Sequence, residues 1–310
     1  MTTRPNQPLL LLRVAPLILE TISFECLAVC RGVCREWRRT SEIVLLRRWE
    51  AYLSDFIFNP LWFRAVLRAT ASVVSGSTVL HFLLKHSSHE SSWTPGDLDI
   101  FCPITSAESM LFHLTKFEGY RNKNSTEDIA DGRDDYLVDN TGGLFQVIHL
   151  ERPDGREIDL VVSTRQSPLS ALTYFWGTIV LNYVSADTIC VSYPLWTLAG
   201  IGRLHPERSS FRHARLCVDK YHGRGFQLHT FDSKQEPTYH SIYCPRSYRT
   251  FFDRSCLRFS FDAPSGLPLY QVRPPVHPVW RYGGDACQAD CIGDRRYVLC
   301  LQGLESANIV

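Results

Sequence analysis

The chain has 310 residues, of which 45% are apolar, 12% aromatic and 21% charged; this is a globular composition with room for about two domains of ordinary size. Its 33 Lys and Arg against 32 Asp and Glu exclude the broad basic surplus of a tight nucleic-acid binder and leave space only for a local basic patch. The 11 cysteines are odd in number and scattered, which excludes a small disulfide scaffold and suits a reducing compartment, cytoplasmic or nuclear; no long uncharged apolar run argues for a membrane span.

Residues 1–7 are polar and read as a free terminus. Residues 8–19, PLLLLRVAPLIL, are interrupted by Arg13 and lack a following small-residue cleavage site, so they read as helix rather than as a secretory leader. Over residues 9–53 apolar side chains recur at three- and four-residue steps (Leu17, Ile18, Ile22, Leu27, Val33, Trp37), which predicts two or three short amphipathic helices. Cys26, Cys30 and Cys34 fall four apart and are expected on one helix face as small buried hydrophobes, because a zinc site usually needs four convergent ligands. Asn59-Pro60 marks a boundary within residues 56–61, followed by a helix over 61–70.

Residues 71–101 carry the densest chemistry. A short apolar strand (71–74) leads through Gly76-Ser77 into an apolar helix (78–84), then a polar loop, then a strand with Asp97 and Asp99. The period of two in extended chain sends both aspartates to one face, with Leu98 and Ile100 on the other. Paired carboxylates suit Mg²⁺, which takes one or two acids and leaves the remaining positions to water and phosphates. Gly76 lets backbone approach a phosphate closely, and the helix N-terminus with the Ser77 hydroxyl favours an anion. Further on, residues 145–150 and 157–163 flank the turn signal Pro153-Asp154-Gly155 and read as an antiparallel hairpin. Its second strand turns Glu157 and Asp159 to one side; joined to Asp97 and Asp99, Asp159 would complete an acid set able to hold two divalent ions. The bland alternative pairs Asp159 with Arg156 or Arg165 and leaves the other acids solvated.

Gly76-Ser77, Asp97-Leu98-Asp99 and a distal Asp159 together resemble the pattern of the polymerase-beta superfamily of nucleotidyltransferases: Gly-Ser, Asp-x-Asp and a third acid on a later strand. The segment is similar in particular to a group of fungal proteins of that fold, with further apparent matches at residues 167–184, 220–226 and 280–287, so that the resemblance spans residues 60–290. Members of that group often carry a neutral residue where this chain has Asp159, and the resemblance therefore leaves retained catalysis open. It implies Asp97, Asp99 and Asp159 as catalytic and metal-holding residues, Mg²⁺ or Mn²⁺ as cofactor, and an NTP as substrate with Gly76 and Ser77 on its phosphates. Separately, residues 15–37, with an Ala15-Pro16-Leu17 start and a Val33-Cys34-Arg35-Glu36-Trp37 close, resemble an F-box, whose helices dock on the linker subunit of cullin-type ubiquitin ligases. The stretch between Ile22 and Leu27 is several residues shorter than in that family, and an intramolecular helical cap is the competing reading.

Ser106 is placed to cap a helix over 107–117, and residues 121–140 read as a polar loop. Ser167-Pro168 opens an apolar, aromatic run to Val184 that is expected to be a core helix. Residues 185–197 read as a short strand or turn. Lys220 to Phe226, KYHGRGF, reads as a helix end, with Lys220 and Arg224 as candidate triphosphate ligands. The Tyr- and Arg-rich stretch to residue 275 fits either base stacking or a loop-rich subdomain, with the subdomain preferred. Cys287 and Cys291 with Cys244, Cys256 or Cys300 form an unspecific zinc candidate.

The resulting expectation is an α+β protein with a mixed sheet and flanking helices, nucleotidyltransferase-like, preceded by a small helical segment. Its parts are an F-box-like segment (8–56), the transferase-like domain (61–230) and a loop-rich extension (231–304). Two functions follow: Mg-dependent nucleotidyl transfer to an acceptor the sequence does not specify, or an F-box-type adaptor with an inert transferase domain.

Overall fold

Strand β2 (Asp97–Pro103) lies inside an eight-stranded sheet whose other members come from distant parts of the chain. The computed structural model describes residues 9–90, 93–123, 144–230, 243, 247–261 and 278–282. The strand order is β10 (Leu257–Ser260), β7 (Thr188–Val191), β6 (Asn182–Val184), β1 (Val73–Ser75), β2, β5 (Glu157–Ser163), β4 (Leu144–Glu151), β3 (Arg121–Asn122). Every neighbouring pair is antiparallel except β2 with β5, so the sheet is mixed. Helices flank it, as the α+β reading expected. The short helix α8 (Pro194–Thr197) leads into a separate parallel pair, β8 (Ile201–Leu204) and β9 (Gln227–Thr230), which is connected through helix α9 (Arg212–Gly223).

Alternation along the central strands divides the core in two. Val74, Leu98, Ile100, Ile158, Leu160 and Val162 point to one face. There they meet Leu19, Phe24, Leu27, Leu45, Trp49 and Leu53 from α1 (Leu9–Leu19), α2 (Phe24–Cys30) and α3 (Arg35–Leu53), and Phe63 and Leu67 from α4 (Pro60–Ala69). The N-terminal helices thus share one apolar core with the sheet, and Phe56 and Ile57, at the expected boundary, are buried in it. Phe24 packs at 4.9 Å on Phe259 of β10, so β10 also belongs to this body. Val73, Phe101 and Val161 point the other way, onto Leu172, Tyr183, Trp196, Phe251 and Trp280. Buried Arg249 is tied there to Asp253 at 2.5 Å and to the Ser192 carbonyl at 2.8 Å.

Local signals hold where caps and turns set them. Asn59 accepts from the Trp62 amide at 3.0 Å with Pro60 in the first helical turn, which starts α4. The 145–150 and 157–163 strands pair antiparallel across the Pro153-Asp154-Gly155 turn, Gly155 having φ +84°. Three expectations are corrected. The run 167–184 is not one helix: it breaks into α7 (Leu169–Leu172), a 3-10 turn (Thr178–Val180) and β6. A continuous apolar run does not by itself distinguish buried strand from buried helix, and this run is interrupted at Gly177, whose backbone is extended (φ −153°, ψ 152°). Cys26, Cys30 and Cys34 do not share a helix face, because α2 ends at Cys30 and Cys34 has extended backbone ahead of α3; Cys26 and Cys34 are exposed thiols. Ser106 closes a 3-10 turn before α6 (Ala107–Lys116) and makes no side-chain capping bond. Most of the 121–140 loop, and Cys244, Cys287, Cys291 and Cys300 of the zinc candidate, lie outside the described residues. Among the described residues no helix is long and apolar enough to cross a membrane.

Candidate metal centre

Four residues form one rung across four adjacent strands. Ser75 on β1 is opposite Asp99 on β2, Asp99 is opposite Asp159 on β5, and Asp159 is opposite His149 on β4. Residues opposite one another in a sheet share a face, so the rung puts both acids on the side away from the N-terminal helices. Asp97, two positions earlier on β2, joins them: Asp97, Asp99 and Asp159 each offer a carboxylate oxygen, and these lie within 4.8 Å of one another. All three are partly buried. The distance meets the requirement of ions about 3.5–4 Å apart sharing carboxylates. Glu157, on the same strand face, is held outward by Lys123 at 2.7 Å.

Helix α5 (Gly76–Leu84) begins directly against these acids. Gly76 has φ +71°, and a Cβ there would sit 1.9 Å from Asp99 Oδ2. Glycine is therefore needed both for its backbone conformation and for the close approach of the carboxylate. The Ser77 amide donates to Asp99, the Ser77 hydroxyl lies 3.4 Å from Asp97 Oδ1, and the Thr78 hydroxyl donates to the Asp97 carbonyl at 2.5 Å. The Gly76-Ser77 turn, expected on phosphate, is thus engaged with the acids themselves; the N-terminal dipole of α5 offsets part of their mutual repulsion.

That repulsion persists. Burial pushes the Asp97 carboxyl above the ordinary range, and the Asp159 charge pushes it further. Asp99 is raised well above its usual value, first by burial and then by Asp97 and Asp159. Lys220, exposed in the last turn of α9, opposes both shifts through its charge. Crowded carboxylates with raised pKa values are what a divalent cation relieves, and a set of oxygen donors suits Mg²⁺ or Mn²⁺ over a softer metal.

Of the sequence-derived site residues, the fold brings together Gly76, Ser77, Asp97, Asp99 and Asp159, with Lys220 near enough to act on the acids electrostatically. Arg224 takes a different place: its guanidinium stacks 3.9 Å above the Trp93 ring and 5.0 Å from Tyr221. Its Nη1 and the Trp93 Nε1 are buried without a hydrogen-bond partner. Asp159 is paired with neither Arg156 nor Arg165; its partner is His149, with Nδ1 2.7 Å from Oδ1. His149 carries no motif of its own, but the hairpin turn encodes its position: once Glu151 faces Glu157, stepping two residues inward on each strand puts His149 opposite Asp159. No protein-family model, curated protein or solved structure matches this chain.

Proposed function

We propose that this chain is a nucleotidyltransferase-type enzyme that binds an NTP with Mg²⁺ and transfers its nucleotidyl group to an acceptor. The single observation that supports this is the convergence of Asp97, Asp99 and Asp159, from two parallel neighbouring strands, on a region 4.8 Å across at the start of a helix. In the reaction an acceptor hydroxyl oxygen bonds to the α-phosphorus and gives up its proton to water or a nearby carboxylate, the bond from that phosphorus to the bridging oxygen breaks, and pyrophosphate leaves with that electron pair. When bound, Mg²⁺ or Mn²⁺ supplies charge neutralisation at the phosphates and activation of the attacking oxygen. The chain's own contribution is positioning. Ser77 and Thr78 fix Asp97, the Ser77 amide fixes Asp99, and Lys220 brings a positive charge to bear on both acids. Transfers of this kind rest on positioning and charge stabilisation, so no His or Cys nucleophile is required.

Calorimetry of Mg-NTPs against the natural chain and an Asp97→Ala, Asp99→Ala double variant tests the proposal. Metal-dependent binding confined to the natural chain supports it; no binding to either protein refutes it.

One observation favours a second reading. Leu17 and Ile18 on α1, Val29 on α2 and Val33 in the turn after it are 64%, 51%, 74% and 66% exposed, while Leu19 of α1 and Phe24 and Leu27 of α2 are buried in the core. As an adaptor, the chain would use these exposed apolar side chains to engage a ubiquitin-ligase linker subunit. Binding of the purified linker, lost in a Leu17→Asp, Val33→Asp variant, is the result expected on that reading.

A further inference from the structure

The acids of the metal centre are held from two sides. Asp97 and Asp99 are fixed from the α5 side by Ser77 and Thr78. Asp159 is fixed from β4, where His149 stands opposite it and sets Nδ1 2.7 Å from Oδ1. Both side chains of this pair are partly shielded, at 31% and 24% exposure, which limits competition from water. The imidazole is not among the groups whose ligand atoms converge with one another, so its place is behind the acid rather than in the cluster.

We infer that His149 is a positioning residue for the metal centre, holding the Asp159 carboxylate in the rotation that lets it join Asp97 and Asp99 around a divalent cation; the inference rests on the divalent-cation reading of the acids. A carboxylate on a strand turns about two side-chain bonds, and an acid that rotates freely loses conformational entropy on joining a metal. A donor locked by strand register removes that loss beforehand. His149 is suited because β4 and β5 are joined by a tight turn and pair over most of their length, so the donor cannot slide relative to the acid. Partners one shell out from a metal commonly govern affinity in this way.

The test is a Mn²⁺ titration of the full chain followed by electron paramagnetic resonance, with the natural protein, His149→Ala, His149→Asn and Asp159→Asn. The Asn amide nitrogen occupies roughly the place of imidazole Nδ1 and keeps the donor. His149→Ala is expected to weaken Mn²⁺ binding by roughly 10–100-fold, with His149→Asn close to the natural chain. Thermal midpoints of the metal-free proteins, followed by circular dichroism, accompany each titration. Unchanged Mn²⁺ affinity in His149→Ala, in a protein where Asp159→Asn weakens it, overturns the positioning role and leaves the acid centre standing. Equal weakening in the Ala and Asn variants, matched by equal drops in midpoint, also overturns it, since His149 would then act on folding alone. A natural chain that binds no Mn²⁺ removes the acid-centre reading and this inference together.

Discussion

Replacing Gly76 by Ala tests the construction of the centre most directly. Two costs are separable. A non-glycine residue at φ +71° carries a backbone penalty of about 1–2 kcal/mol. The added Cβ would meet Asp99 Oδ2 at 1.9 Å and Cγ at 2.8 Å, so the carboxylate must move or the helix start must shift, an overpacking cost of about 1–3 kcal/mol. Together these predict a loss of about 2–5 kcal/mol, measured as a lower urea midpoint at unchanged slope. Mg²⁺ affinity should fall as well, because the displaced carboxylate leaves the Ser77 amide. A second variant, Gly76→Ala with Asp99→Ala, removes the clash and retains the backbone penalty; it should recover stability relative to the sum of the single changes, and the coupling measures the contact. Gly76→Ala as stable as the natural chain, with no coupling to Asp99, would refute the close packing of turn and acid on which the site rests.

Other consequences follow from the same geometry. Asp99 binds its proton more tightly when folded than when unfolded, so metal-free stability is fullest below the ordinary carboxylate range and falls as pH rises from there toward the raised folded value. Asp99→Asn should reduce that slope, Asp97 keeping its own share, and make the metal-free protein more stable than the natural chain at neutral pH; chemical denaturation at several pH values reads it, and an unchanged slope counts against the burial argument. Mg²⁺ should raise the thermal midpoint of the natural chain but not that of an Asp97→Asn, Asp99→Asn variant, as expected for a ligand that binds only the native state. Arg249→Ala removes the guanidinium from the half-buried Asp253 carboxylate, which keeps the Thr250 and Ser255 amides, and from the Ser192 carbonyl, and should cost about 1–3 kcal/mol by urea denaturation. Phe24→Ala removes a ring seated on Phe259 and should cost about 3–5 kcal/mol as a shift of one cooperative transition; separate early melting of the N-terminal helices would contradict a shared core.

The parts of the fold visible in the sequence were those set by neighbours along the chain. Asn59-Pro60 starts a helix, Pro153-Asp154-Gly155 closes a hairpin, and the period of two turns Asp97 and Asp99 to one face, all from interactions spanning a few residues. The run 167–184 was misread because apolar character on all sides carries no period, and its outcome depended on β1 offering a pairing edge to Val184. The face shared by three cysteines vanished because the chain turns at residues 31–33 before α3. At the candidate site the acid types and their order were legible, whereas Gly76 was expected to admit a phosphate and its close approach to Asp99 was not. Only the tertiary structure decided that β5 lies parallel against β2 and so brings Asp159 to Asp99, that Ser77 serves the acids, and that Arg224 stacks on Trp93. Those outcomes depend on contacts between segments roughly 20 to 130 residues apart, whose loop-closure cost only the assembled core offsets, and no local pattern records that balance.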